Sequence, residues 1–255
     1  MIITDTPKKK HEIFTYSEFV SQATSRKQSK KHDHRSSGKK DFKFSQSESL
    51  KHAVQMATEG WDAGIKQLEL EGGLAIQGNT NWEAAVVGST VNLGNYLNGL
   101  PDNMWQFTDN REYNLPELEI KVRLDYSFGN SGKKAMKFCK SIITLVNKYQ
   151  ATHNVKLVGI FDVKQDKVDY IIEVIIKEFN ERFVLNNIAF AFHPAFFRRL
   201  WFRLGECEPF LSWGYGSVQG RSPKARKGVK TIVIPKLDDI SEGDFTDEDI
   251  TKYNF

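Results

Sequence analysis

An α+β fold, with helices packed on a mixed or antiparallel sheet, is predicted by three passages of this 255-residue chain. In Leu118–Asp125 the apolar Leu118, Ile120, Val122 and Leu124 alternate with Glu119, Lys121, Arg123 and Asp125, the period of a strand with one wet face. From Gly132 to Tyr149 the apolar residues Ala135, Phe138, Cys139, Ile142, Ile143, Leu145 and Val146 recur at three- and four-residue spacing, which predicts a helix. Two further apolar runs, Val155–Phe161 and Val168–Ile176, flank the polar Lys164-Gln165-Asp166-Lys167 and predict a hairpin. Strand, helix and hairpin in that order give helices lying on a sheet.

Taken from the N-terminus, Ile13–Ala23 reads as a short amphipathic helix or docking segment with Phe14, Phe19 and Val20 on its apolar side. Residues 24–43 carry Arg26, Lys27, Lys30, Lys31, Arg35, Lys39, Lys40 and Lys43 with almost nothing apolar, the composition of a solvated arm. Residues 1–44 are therefore expected to form a flexible basic arm. Ser47 or Ser49 is placed to cap a helix bearing Leu50, Ala53, Val54 and Ala57. Gly60 and Gly64 flank Trp61 and break or bend that helix. A second helical run carries Ile65, Leu68 and Leu70 and stops at Gly72-Gly73. Trp82–Val87 is strand-like, Val91–Pro101 is rich in turn signals, and Met104–Thr108 is expected to share the sheet of Leu118–Asp125. A helix is expected from about Ala195 to Leu204 and a strand over Val229–Ile234. Residues 45–236 thus form the body.

The formal charge of +4 hides an asymmetry. Residues 237–255 hold seven acids (Asp238, Asp239, Glu242, Asp244, Asp247, Glu248 and Asp249) against Lys252 alone and end on Tyr253-Asn254-Phe255. An acidic tail on a basic body suits a protein that handles polyanions and recruits partners. Cys139 and Cys207 lack metal-ligand spacing, which predicts reduced core thiols. No run approaches the ~18 apolar residues of a membrane helix, and the N-terminus lacks signal-peptide anatomy.

His193-Pro194-Ala195-Phe196-Phe197-Arg198-Arg199-Leu200-Trp201-Phe202-Arg203 is the densest passage. On a helix Phe197, Leu200, Trp201 and Leu204 form one apolar stripe, while Arg199 and Arg203 share another face. Two readings are open. The planar guanidinium forks of Arg198, Arg199 and Arg203 suit phosphates, and they also suit structural bonds, Arg203 with Glu206 among them. His193 reads as a cap or core histidine. A second basic cluster, Arg221, Lys224, Arg226 and Lys227, follows Trp213 and Tyr215. Cations that track a backbone beside rings that stack on bases are what single strands need.

Enzyme signatures are thin: HExxH, GxSxG and Cys–His settings are missing, and no cofactor motif is present. Asp125-Tyr126-Ser127-Phe128-Gly129 resembles in part the DxSxS metal-adhesion motif of von Willebrand A domains, but Gly129 stands where the second serine belongs. A strand end and helix cap without metal is the expectation. A metal-dependent hydrolase near Asp125 is the least favoured class.

Ser47–Gly64 (SESLKHAVQMATEGWDAG), Val91–Met104 (VNLGNYLNGLPDNM) and Ile188–Glu206 (IAFAFHPAFFRRLWFRLGE) resemble a group of uncharacterised bacteriophage proteins. That resemblance implies a phage-encoded protein acting in the host cytoplasm and carries no activity. Separately, the ending Asp247-Glu248-Asp249…Phe255 is similar to the tails of single-stranded-DNA-binding proteins. It implies that Asp247, Glu248, Asp249, Tyr253 and Phe255 dock a phage or host polymerase or helicase. Those proteins are usually OB-fold barrels, which this chain does not resemble. The leading expectation is a single-stranded-DNA-binding replication or transcription cofactor, with homo-oligomerisation left open. The rival is a factor that captures a host protein without nucleic acid.

Overall fold

The computed structural model describes residues 2–6, 9–27, 47, 49–70, 80–86, 90–91, 93–101, 104–109, 115–125, 132–165, 168–181, 184–209, 211 and 228–240. The expected α+β class is present. Nine strands form two sheets among these residues: β1 (Ile2–Thr6), β2 (Lys9–Thr15), β3 (Thr80–Ala85), β4 (Thr90–Val91), β5 (Met104–Asp109), β6 (Glu117–Arg123), β7 (Asn154–Gln165), β8 (Val168–Lys177) and β9 (Lys230–Ile234). The larger sheet has the order β1-β2-β8-β7-β6-β9, and the smaller has the order β3-β5-β4. In the larger sheet β6 runs parallel to β7 and β9, and β2 runs parallel to β8, while β7·β8 and β1·β2 are antiparallel. It is a mixed sheet.

The N-terminal segment is not a free arm as far as residue 27. The strand β2 pairs along its whole length with β8. Thr15 then caps α1 (Tyr16–Ser25) in a capping box: its Oγ1 accepts from the Glu18 N–H at 3.3 Å and its own N–H donates to Glu18 Oε2 at 2.8 Å. The passage expected as one helix therefore divides at Thr15, with Phe14 on the strand and Phe19, Val20 and Ala23 buried from the helix. Residues 28–46 lie outside the described residues.

Two helices follow, α2 (Leu50–Glu59) and α3 (Asp62–Leu70). Ser49 is the cap of α2, its Oγ accepting from the His52 N–H at 3.1 Å. Gly60 ends the helix at φ +105°, where a Cβ would lie 2.8 Å from Asn186 Nδ2, so glycine is required there on two counts. Gly64, expected to break the chain, lies inside α3. The short α4 (Leu93–Leu97) sits in the smaller sheet's excursion. The helix read most clearly from sequence is α5 (Gly132–Gln150), which crosses between the parallel strands β6 and β7. The helix α6 (Leu185–Ala191) leads into a π-helical segment, Phe196–Trp201, and then α7 (Phe202–Gly205).

The core lies between the sheet and these helices. Leu118, Ile120, Val122 and Leu124 of β6 are fully buried. At the centre is Phe161 of β7, whose ring lies 6.0 Å from Phe19, 5.8 Å from Phe197 and 5.8 Å from Trp201, all close to parallel. Phe196 adds a fourth contact at 6.0 Å. Such ring pairs contribute ~0.5–1.5 kcal/mol each beyond simple burial.

Two strand expectations are corrected. The strand β5 does not share a sheet with β6; it pairs with β3 and β4. The second face of β6 is not wet either: Glu119, Lys121, Arg123 and Asp125 are all buried. Charges there neutralise one another, since Lys121 Nζ lies 3.2 Å from Glu173 Oε1 and 3.6 Å from Glu119 Oε2, and His11 Nε2 lies 3.3 Å from the same Glu173 oxygen. Burial alone would raise the Glu173 carboxyl, but the His11 bond and the Lys121 charge hold it below the usual glutamate range. Strand alternation separates the faces; it does not say which face meets water. The hairpin β7–β8 is also longer than expected, with Lys164 and Gln165 inside β7.

A second buried network ties β2 to the helices. Arg26 grips Glu12 through Nη2 to Oε1 at 2.6 Å and Nη1 to Oε2 at 3.0 Å, and the Tyr170 hydroxyl donates to Oε2 at 2.7 Å. Lys10 Nζ reaches Glu208 at 2.5 Å, just beyond α7. Burial pushes the Glu12 carboxyl up, and the Arg26 and Tyr170 bonds with the Arg26 and Lys10 charges outweigh it, leaving it below the usual glutamate range. Glu12 therefore contributes stability in full above the unfolded-state glutamate pKa, near ~4.3. That contribution is lost as pH falls through the lower folded-state value. Glu12→Gln is expected to cost about 3–5 kcal/mol at neutral pH and to flatten the acid limb of stability against pH. Urea unfolding over a pH series measures both, and an unchanged acid limb would remove Glu12 from this role. Phe161→Ala is expected to cost about 3–5 kcal/mol in the same assay at neutral pH.

Candidate functional site

Of the three arginines of the dense aromatic passage, Arg198 and Arg199 are buried and Arg203 is half-buried. Arg199 is fully buried in the π-helical segment and donates from Nη2 to the Ser47 carbonyl at 2.8 Å. That bond ties the residues before α2 to the core. Arg198 is buried with its guanidinium 5.6 Å from the centre of the Phe202 ring. Arg203 donates from Nε to the Ala23 carbonyl at 3.4 Å and from Nη2 to the Arg26 carbonyl at 3.1 Å. These acceptors lie at the end of α1, where carbonyls have no partner within the helix. The guanidinium forks thus do structural work on carbonyls. Arg199 has no exposed surface and Arg198 very little, so neither is placed to meet a phosphate, and the half-buried Arg203 is bonded to carbonyls. The expected shared face of Arg199 and Arg203 is divided: Arg199 lies in the π-helical segment, which is buried throughout, and Arg203 is half-buried on α7.

His193 is the core histidine expected. Its Nδ1 accepts from the Ala195 N–H at 3.1 Å, and its ring meets Trp61 edge-on at 4.3 Å. Burial, with a smaller contribution from His52, pushes its pKa down to about 3, so the imidazole is neutral. Cys139 is buried, and burial pushes its thiol well up, as expected of an inert core cysteine. Trp213, Tyr215, Arg221, Lys224, Arg226 and Lys227 lie outside the described residues, as do Asp247, Glu248, Asp249, Tyr253 and Phe255. The acidic segment does not start free at residue 237. Leu237 and Ile240 are buried in the core, in and just after a 3-10 turn at Leu237–Asp239.

A basic surface not singled out by motif reading is carried by α5. Its inner side holds Ala135, Met136, Phe138, Cys139, Ile142, Ile143, Leu145 and Val146, all buried. The remaining positions include Lys133, Lys134, Lys137, Lys140 and Lys148, of which Lys133, Lys137 and Lys148 are exposed and the other two half-buried. The helix has no Asp or Glu in nineteen residues. At 1.5 Å per residue it runs for about 28 Å. Lys148 in the last turn complements the helix dipole, whereas Lys133 and Lys134 stand at its positive end, where each costs roughly 0.3–1 kcal/mol. Helix stability alone does not favour that placement; a bound anion would. The signal was present in the sequence as the absence of acids, masked by attention to the apolar period.

The described stretch 228–240, which joins the two charged segments in sequence, runs beside β6, the strand before this helix. The strand β9 lies beside β6, with Lys230 level with Leu118 at the first end of β6. The Asn154 N–H bonds the Pro116 carbonyl at the same edge, just after α5 ends. The return from the basic loop at 228–230 and the C-terminal end of α5 therefore share one sheet edge. At the opposite edge β6 ends, α5 begins soon after, and β9 gives way to the root of the acidic segment. At that end Arg123 holds Asp125 through two hydrogen bonds, Nη2 donating to Oδ2 at 2.6 Å and Nε to Oδ1 at 3.0 Å. Burial raises the Asp125 pKa to about 6 against the opposing pull of Arg123 and Lys236. The β6 strand end is as expected, with α5 beginning at Gly132; residues 126–131 lie outside the described residues. Among the described residues no group of three or more His, Cys, Asp or Glu is arranged to hold a metal ion. No described helix is long and apolar enough to cross a membrane.

Residues 9–253 match the model of a family described as a domain of unknown function (DUF7192), and the chain belongs to that family. No curated protein and no solved structure matches the chain.

Arg199→Ala is expected to lower stability by about 2–3 kcal/mol, the value of a buried charged hydrogen bond, while leaving oligonucleotide affinity per folded molecule unchanged. Thermal melting alongside fluorescence anisotropy separates the two; a lost affinity in a variant of unchanged stability would return Arg199 to the interface.

Proposed function

We propose that this chain is a phage-encoded single-stranded-DNA-binding protein that works in the host cytoplasm as a replication or transcription cofactor. The observation that carries the reading is the acid-free lysine face of α5, about 28 Å of cationic helix with two lysines where the helix dipole disfavours them. A row of flexible ammonium groups suits a sequence-independent hold on phosphates. In this reading Arg221, Lys224, Arg226 and Lys227 supply further phosphate contacts, with Trp213 or Tyr215 as base-stacking groups. The similarity of the C-terminal ending to tails of single-stranded-DNA-binding proteins supports the same reading. In it the acidic segment competes with nucleic acid for the lysine face, and once displaced it docks a polymerase or helicase.

Anisotropy titrations of the full chain with labelled single-stranded DNA, duplex DNA and RNA at several salt concentrations provide the test. Single-stranded affinity is expected to fall by about 0.7 decade per decade of salt for each phosphate contacted. Lys137→Glu and Lys148→Glu are each expected to weaken binding and to reduce that slope by about 0.7. Removing residues 241–255 is expected to tighten binding. Affinity and slope indifferent to both lysines would overturn the surface. A chain that shifts no oligonucleotide but retains a host protein after nuclease treatment would be the interaction factor instead.

A further inference from the structure

We infer that the apolar residues Val86, Val91, Tyr96, Leu97 and Leu100 at one end of the smaller sheet form a surface through which two copies of this chain pair. Large exposed hydrophobic residues scattered singly are ordinary; here they are gathered. Among the described residues these are Val86, Val91, Tyr96, Leu97, Leu100 and Val184, and five of the six fall within fifteen residues. Leu97 is 74% exposed, Val86 69% and Tyr96 60%.

The backbone brings the five to one end of the sheet. Ala85 and Val91 both lie opposite Met104, one on each side of β5, so Val86 and Val91 flank the same strand end. The helix α4 starts two residues after Val91. Its chain turns back through Gly99 at φ +67°, where the Leu100 N–H donates to the Asn95 carbonyl at 3.0 Å. No side chain of this group belongs to the hydrophobic core of the body.

Charge identifies the occupant. Residues 84–101 contain no Asp, Glu, Lys, Arg or His, although 27% of eighteen residues would be about five charged groups. Lysine and arginine are absent from all of 67–110. A charged partner would find nothing here to pair with and would lose hydration against an apolar wall. A second copy of the same surface brings no charge and no self-repulsion, although the whole chain carries +4. A two-fold contact sets one patch against itself, and loss of charge with an aromatic at the centre is the composition of an interface core. This pairing does not rest on the nucleic-acid reading, since α5 lies on the other sheet.

Sedimentation velocity of the full chain over a concentration series tests it. The wild type is expected to pass from monomer to dimer. Leu97→Glu with Leu100→Glu, both at exposed positions, is expected to weaken pairing by about thirtyfold or more with an unchanged melting temperature. Because no ion pairs are involved, the wild-type dimer is expected to change by less than about twofold between low and high salt. A wild type that stays monomeric throughout, a dimer that survives both substitutions, or one that salt dissolves would each overturn the pairing.

Discussion

The ring of Phe161 holds this structure together. It projects from the middle of β7 and is met by α1 through Phe19 and by the π-helical segment through Phe196, Phe197 and Trp201. A neighbouring position shows how tight that packing is. A Cβ on Gly159, two residues before Phe161 on the same face, would come within 2.5 Å of Leu124 Cδ1. The Leu124 side chain fills the space that a side chain on residue 159 would take. Close packing of this kind leaves little room for compensation, because interiors have crystal-like density. The N-terminal strand and helix belong to the same core, so the chain cannot be divided into a basic arm and an independent body.

Burial, more than residue type, decides what each charge does here. Arg199 and Arg203 have the fork geometry that binds phosphates, and the fold spends it on backbone carbonyls near α2 and at the end of α1. Glu12 and Glu173 are buried acids kept ionised by cations packed against them. The lysines of α5, which have less geometric specificity, stand on the helix side away from the core. Leaving a buried charge uncompensated costs several kcal/mol, so interior cations are committed to interior partners. Cations outside the core carry no such commitment to an interior partner.

The two sheets divide the labour differently from what strand patterns suggest. The larger sheet holds the aromatic core on one face and a neutralised ladder of charges on the other. The exposed apolar residues of the smaller sheet and its helix, Val86, Val91, Tyr96, Leu97 and Leu100, are not part of that core. The lysine-bearing α5 packs on the larger sheet, whereas those exposed apolar residues belong to the smaller one.

Much of the local structure was legible from spacing alone. The α5 periodicity, the Ser49 cap, the Gly60 stop and the β7–β8 hairpin follow from propensity, capping and alternation, which act over a few residues. The α+β class followed from their order. What spacing does not carry is which neighbour covers an element. The alternation of β6 separated Glu119, Lys121, Arg123 and Asp125 from the leucine face, but burial of that second face arises from strands and partners distant in the chain. The fates of Arg199 and Arg203 depended on carbonyls 152 and 180 residues away. The sequence by itself determined α5, the period of β6, the β7–β8 hairpin and the supply of charge. Tertiary structure alone decided which charges face water, because solvent exposure is a property of the assembled surface and not of any local run of residues.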